Sequence, residues 1–433
     1  METSYKIVLP CIVGLLVFSV VSYARADRAA GGAVVPGQYI VVFEDSVENA
    51  GLVEEDLLAR TRAQRLGSYR TAIKGFSARL SASDLKTVAN DPRVAFVSED
   101  REVSSAQLRG NAGARGRKPL PPPVVIPPQT LPTGVDRINA EGKTNTGAGV
   151  HVAVIDTGIA LKHPDLAANI AGGKNCTTSN TSDYADQNGH GTHVAGTIAA
   201  LNDSQGVVGV APGAKLWAVR VLDRNGSGTW SSVICGLDFV ASKSPATGGP
   251  ISIANMSLGG VGVSDNNCGN TNKDALHKAV CRVRDAGVTL VVAAGNSGAN
   301  ASGFVPAAYD DAVITVSALA DSDGTTGGLG AATSYGADDT FASFSNFGTA
   351  VDLGAPGTSI YSTVLSGGYG SMSGTSMAAP HVAGAAALYL ATHPAATWST
   401  VRDALVASGE AAGFGHTDPS GVHKEHVVRA DAL

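Results

Sequence analysis

His151-Val-Ala-Val-Ile-Asp156-Thr-Gly158 decides the class of fold. The apolar run His151 to Ile155 reads as a buried parallel strand, and Thr157-Gly158 breaks it. Comparable runs recur at Ala214 to Leu222, Ile251 to Met256, Leu290 to Ala294 and Val313 to Ala318, alternating with helical stretches. This alternation predicts an α/β fold with a doubly wound, mainly parallel sheet. Ligands of such sheets bind outside the carboxyl ends of the strands, which is where Asp156 falls.

Two helices carry the remaining chemistry. His190 opens a segment whose small residues Thr192, Ala195, Gly196 and Ala199 recur at helical spacing, allowing close packing. Ser376 opens an apolar helix from Met377 to about Leu390, with Pro380 in its first turn, where a missing N–H costs little. The amino end of that helix stabilises negative charge beside Ser376. A serine hydroxyl is a weak nucleophile at neutral pH. It needs an imidazole to take its proton and a buried carboxylate to hold that imidazole in the right tautomer. Taken singly, an Asp after a strand or a Ser before a helix is usually a cap.

The three segments Val152-Ala-Val-Ile-Asp156-Thr-Gly, Asn188-Gly-His190-Gly-Thr-His193-Val-Ala-Gly and Ser373-Gly-Thr-Ser376-Met-Ala-Ala-Pro place acid, base and nucleophile in the order Asp, His, Ser. That order, with these neighbours, resembles the subtilisin family of serine proteases from about residue 129 to the C-terminus. The resemblance implies a serine endopeptidase with catalytic Asp156, His190 and Ser376, acting on protein or peptide substrates through an acyl-enzyme. Asn296, in Val291-Val-Ala-Ala-Gly295-Asn296, takes the oxyanion role by the same resemblance. His193, His163 and His381 read as structural, since one histidine suffices as base. An inactive binding module, or a ligase sharing every named residue, are the alternatives; no catalytic position is lost here.

Glycine-rich Asn225-Gly226-Ser227-Gly228-Thr-Trp230 and Ser257-Leu258-Gly259-Gly260 read as edges on which a substrate backbone pairs as an added strand. The primary pocket is expected between Ser257 to Gly259 and Ala293, Ala294 and Gly295. These residues are small and uncharged, so broad specificity leaning to apolar residues is expected.

Calcium is the ion the resemblance implies, in a structural role. The segment His193 to Val207 matches the family's strong-site loop without a gap. Gln129, Asp165 and Asp203 supply side-chain oxygens there, and Leu201, Gln205 and Val207 supply carbonyls. A second site draws on Asp352 and carbonyls near Asp310 and Ala312.

Length and composition agree with a several-part exported enzyme. The 433 residues are 44% hydrophobic with 53 glycines, and the net charge of -6 argues against nucleic acid as a partner. Lys6, the apolar Ile7 to Val21 and Ala24-Arg-Ala26 read as a secretory signal (1–26) cleaved after Ala26, with no membrane attachment afterwards and a monomeric product. Residues 27–106 contain Gly37 to Phe43, Ile73 to Leu80 and Val94 to Asp100 as strands and Ser83 to Asn90 as a helix. This small α+β unit resembles the subtilisin propeptide, an intramolecular inhibitor that assists folding. By that resemblance self-cleavage falls near Ala106, leaving Glu102 to Ala106 in the cleft. Residues 107–128, basic and proline-rich, read as a linker, which is trimmed separately or kept as an extension. Residues 129–433 form the catalytic domain.

Four cysteines outside the signal allow three pairings, and an exported chain favours oxidation. Cys268 and Cys281 bracket a loop and the next helix's start, so a local bridge is easy, leaving Cys176 for Cys235. Free buried thiols are the alternative.

Overall fold

Alternate residues of His151–Asp156 enter two different cores. Val152 and Val154 join one apolar cluster, while Ala153 and Ile155 join another. A strand apolar on both faces must be covered on both, and helices do this. His190–Ala199 and Thr375–Thr392 cover one face, and Trp230–Ala241 and Ala275–Asp285 the other. The computed structural model describes residues 32–106, 126–411, 416–421 and 423–433. The expected signal and most of the linker lie outside these residues. Among the described residues no helix is long and apolar enough to cross a membrane.

The main sheet runs, in spatial order, His426–Val427, Leu353–Pro356, Ile314–Ala320, Thr289–Ala293, Ile251–Met256, His151–Asp156, Lys215–Arg220 and Ile170–Asn175, all parallel. Thr340–Phe341 adds an antiparallel ribbon to Ile314–Ala320. The chain builds one side of His151–Asp156 and then the other, so the strand order reverses there and opens a crevice at Asp156. The small residues of His190–Ala199 are used as expected. A Cβ on Gly196 would come within 2.3 Å of Thr363 Oγ1, and one on Gly191 within 2.3 Å of the Gly158 carbonyl.

The N-terminal unit is a four-stranded antiparallel sheet of Val34–Phe43, Gln64–Tyr69, Gly75–Arg79 and Val94–Ser105, covered by helices Ala50–Arg60 and Ala82–Ala89. Val41, Phe43, Leu57, Phe76 and Val88 fill its core. Helix Ala50–Arg60 and strand Gln64–Tyr69 are additions to the elements expected from sequence. Val94–Ser105 runs beyond its expected end at Asp100 and crosses into the larger body.

Two disulfides staple the larger body, Cys176–Cys235 with an S–S distance of 2.03 Å and Cys268–Cys281 at 2.09 Å. The bridges have the expected pairing, and the free-thiol alternative falls.

Candidate active site

Asp156, His190 and Ser376 come from three separate elements and are all fully buried. Asp156 ends its strand, and both carboxylate oxygens lie on His190 Nδ1, at 2.8 and 2.9 Å. Oδ1 also accepts the Thr157 N–H at 2.7 Å. The other ring nitrogen, His190 Nε2, has no hydrogen-bond partner among the described residues. Ser376 Oγ instead donates to the Ser257 carbonyl at 3.1 Å.

Asp186, which the sequence reading missed, places His190. One of its oxygens accepts the Asn188 and Gly189 N–H groups at 2.8 and 3.0 Å, and the other accepts Thr192 N–H at 3.1 Å and its hydroxyl. Gly189 enters the helix at φ +111°, a backbone that favours glycine. Asp186 therefore caps a helix whose own N-cap residue has no side chain. The signal in the sequence was an acidic residue just ahead of Asn188-Gly189.

Asn296 is oriented as firmly. Its Oδ1 accepts the Thr375 N–H and hydroxyl, each at 2.9 Å, which fixes Nδ2 in the opposite direction. That Nδ2 donates to the carbonyl oxygen of Ala106, which the Ser376 N–H also approaches at 3.4 Å. Ala106 N–H donates to Ser257 O at 3.1 Å, and Ser105 N–H to Gly226 O at 3.0 Å. The strand Val94–Ser105 lies between two edges of the larger body. Glu102, Val103 and Ser104 pair antiparallel with Thr229, Gly228 and Ser227, while Ser104 and Ser105 pair with Gly259 and Leu258. Trp230 is not part of the edge; it begins the following helix.

Comparison with known proteins follows the same division of the chain. The subtilase family model matches residues 147–422, and the peptidase inhibitor I9 model matches residues 38–106. The chain belongs to the subtilase family. This subtilase is 36% identical over 397 residues to subtilisin E of Bacillus subtilis (strain 168), covering 90% of each protein. It is 38% identical over 404 residues to an extracellular serine proteinase of Thermus sp. (strain Rt41A), covering 86% of this chain and 84% of that one. A cold-adapted subtilisin-like serine proteinase of known structure aligns with a TM-score of 0.55 at 36% identity, over 70% of this chain and 98% of that one. The protein is thus a serine endopeptidase of subtilisin type carrying an inhibitor-type propeptide domain.

Ala293 and Ala294 are buried at the end of Thr289–Ala293, and Gly295 turns away at φ +104°, where a Cβ would meet Asn346 Nδ2 at 2.4 Å. Ala106 packs against the core cluster that contains Ala293. His193, His163 and His381 are buried and bonded to backbone carbonyls, His193 Nε2 to Ile360 O at 2.9 Å, His163 Nε2 to Gly368 O at 2.9 Å and His381 Nδ1 to Met377 O at 2.8 Å. Burial pushes His193 down to about 3 and His381 to about 4, so both are neutral at physiological pH.

The residues expected to bind calcium are brought together as well. Gln129 N–H donates to Ser204 O at 3.0 Å, and the Gln129 amide bridges Leu201 O at 3.2 Å and Ser204 N–H at 3.0 Å. Gln129 docks with Ile126 to Pro128 still attached, so trimming at Gln129 is no condition for reaching the loop. Asp165 Oδ2 accepts Val207 N–H at 2.8 Å, and its buried Oδ1 has no partner among the described residues. Burial, assisted by the charge of Asp203, pushes Asp165 up to about 6. A stranded carboxylate oxygen amid oxygen donors fits a hard cation. At the second site desolvation of the largely covered Asp352 pushes it up to about 7, with the charge of nearby Asp310 acting in the same direction. Its Oδ2 accepts Thr315 N–H at 2.8 Å and Arg402 Nε stands 3.9 Å from Oδ1, so a cation there competes with a guanidinium.

Proposed function

We propose that this subtilase is a secreted endopeptidase made as a self-inhibited zymogen that cuts itself after Ala106 and then cleaves proteins with broad, apolar-leaning specificity. The observation that carries the reading is the Ala106 carbonyl oxygen held between Asn296 Nδ2 and the Ser376 N–H. Those donors face the position where an oxyanion develops when an acyl carbon at residue 106 is attacked.

In this mechanism Ser376 Oγ leaves the Ser257 carbonyl and turns to His190 Nε2. His190 takes the proton as Oγ bonds to the scissile carbonyl carbon, while Asp156 holds Nδ1–H and stabilises the imidazolium. The oxyanion sits on Asn296 and the Ser376 amide. Proton transfer from His190 to the leaving amine accompanies C–N cleavage and leaves an ester on Ser376. Water, deprotonated by His190, hydrolyses the ester and restores the hydroxyl. Backbone pairing to 227–229 and 258–259 registers the substrate without reading its side chains, which suits broad specificity. Calcium on Gln129, Asp165, Leu201, Asp203, Gln205 and Val207 would neutralise Asp165 and brace the loop, with Asp310, Ala312 and Asp352 as a second, weaker set. It supplies stability, and no catalytic step passes through it.

Mass spectrometry of the secreted protein tests the scheme. Wild type should yield a propeptide ending at Ala106, and Ser376→Ala should accumulate uncleaved from Asp27 onward. A first cut at Arg117-Lys118, or normal processing of Ser376→Ala, would overturn it.

A further inference from the structure

The segment between Ile314–Ala320 and Thr340–Phe341 holds a group of carboxylates that serves neither the cleft nor the Gln129 loop. Asp321, Asp323 and Asp338 each place one carboxylate oxygen within 4.8 Å of those of the other two, with Asp321 and Asp338 buried and Asp323 exposed. Asp321 is 1% exposed; its Oδ1 accepts Gly324 N–H at 3.1 Å, but its Oδ2 is buried without a partner among the described residues. Asp338 accepts the Ser322 N–H and hydroxyl at 2.8 and 3.0 Å and the Gly330 N–H at 2.8 Å. Asp323 accepts the Thr325 N–H and hydroxyl, both at 2.9 Å.

Among the described residues no side-chain cation pairs with these carboxylates. Arg137, the nearby guanidinium, is already committed to Asp339 at 2.6 Å and to Glu410 at 2.9 and 3.1 Å. Among the described residues no ion pair reaches Asp321, Asp323 or Asp338. Burial pushes Asp321 up to about 7, with Asp338 and Asp339 adding to the rise against the pull of Arg137. Buried like charges with an unsatisfied oxygen lack a counter-ion, and a divalent ion supplies one. Asp321 and Ser322 also line an open surface cavity with Thr333, Ser334 and Tyr361, which gives a hydrated ion a route in.

We propose that Asp321, Asp323 and Asp338 form a further divalent cation site, suited to calcium, that pins the 321–339 segment to the sheet. All three donors are hard carboxylate oxygens, and calcium accepts such a set with water completing its shell.

The test uses the full chain with Ser376→Ala, which prevents autolysis, and calcium itself as probe. Bound calcium is counted by native mass spectrometry in that protein, with Asp323→Ala added and, separately, with Asp165→Ala added. Asp323 is exposed, so its replacement leaves the packing intact; Asp321→Asn, nearly isosteric, is the second variant. Each should bind one calcium fewer than the parent, whatever Asp165→Ala does, so failure of the Gln129-loop assignment stays separate. Chymotryptic cleavage at Leu329, which is 90% exposed, should quicken at least tenfold on chelation in the parent and be fast with or without calcium in Asp323→Ala. Unchanged stoichiometry in both variants, or cleavage indifferent to calcium in the parent, would overturn the site.

Discussion

Replacing Asp238 with alanine should loosen the propeptide without touching the catalytic groups. One oxygen of this side chain, on helix Trp230–Ala241, accepts three consecutive N–H groups from the propeptide: Arg70 at 2.9 Å, Thr71 at 2.6 Å and Ala72 at 2.9 Å. Arg70 and Thr71 are exposed and regain water when the carboxylate is lost, but Ala72 is buried and its N–H is stranded. A hydrogen bond to a charged group contributes about 1.5–3 kcal/mol, and a stranded buried donor costs about 1–3 kcal/mol. Against this stands the desolvation of Asp238, which raises its pKa in the complex. The net loss is about 2–4 kcal/mol, or roughly 30- to 1000-fold in affinity. The assay is inhibition of the matured enzyme by added propeptide 27–106, together with the lag before activity appears after self-cleavage. The inhibition constant should rise by that factor and the lag should shorten, with kcat/KM on a small peptide unchanged. A change of less than threefold would refute the reasoning, and so would an equal fall in kcat/KM.

Asn296→Ala should lower kcat by about 10²–10³, a magnitude measured on the oxyanion asparagine of subtilisin itself, with little change in KM in steady-state assays. Arg137→Met should lower the thermal midpoint sharply, because Asp339 and Glu410 would remain buried without a counter-charge, at a cost of about 3–5 kcal/mol. Asp165→Ala should lower the melting temperature by part of what chelation does, since chelation also empties the other cation sites; an unchanged midpoint in both would remove Asp165 as a ligand. With calcium chelated, the raised pKa of Asp165, about 6 against 3.8 unfolded, means that its contribution is fully present below 3.8 and lost as pH rises through 6. Thermal melts in chelator should therefore fall by the equivalent of about 2 kcal/mol between pH 4 and pH 8, beyond any change in Asp165→Asn.

The core of the fold was legible because its signals are local. A short apolar run at 152–155, ended by Thr157-Gly158 and repeated along the chain, reads as a strand covered on both faces, and Gly189, Gly295 and Gly374 turn the chain at positive φ, a backbone that favours glycine. The missed elements have weak local signals. Gln64–Tyr69 buries only Tyr69 and leaves Leu66 42% exposed, as an edge strand does, and Leu353–Pro356 ends in a proline that argues against a strand. The acid, base and nucleophile were legible because each sits beside its own element's end.

Their supports were not legible. That Thr375 turns the amide of Asn296, and that Ser376 Oγ rests on Ser257 O, are pairings between distant segments, with no periodicity to announce them. The same holds for Asp321 and Asp338, which the chain separates and the fold brings within one ion's reach. Sequence determined which residues carry chemistry and which surfaces must be buried, since hydrophobic spacing and backbone freedom act over a few residues. Tertiary structure alone decided what each polar atom faces, because a hydrogen bond reaches about 3 Å and is indifferent to how much chain lies between its partners.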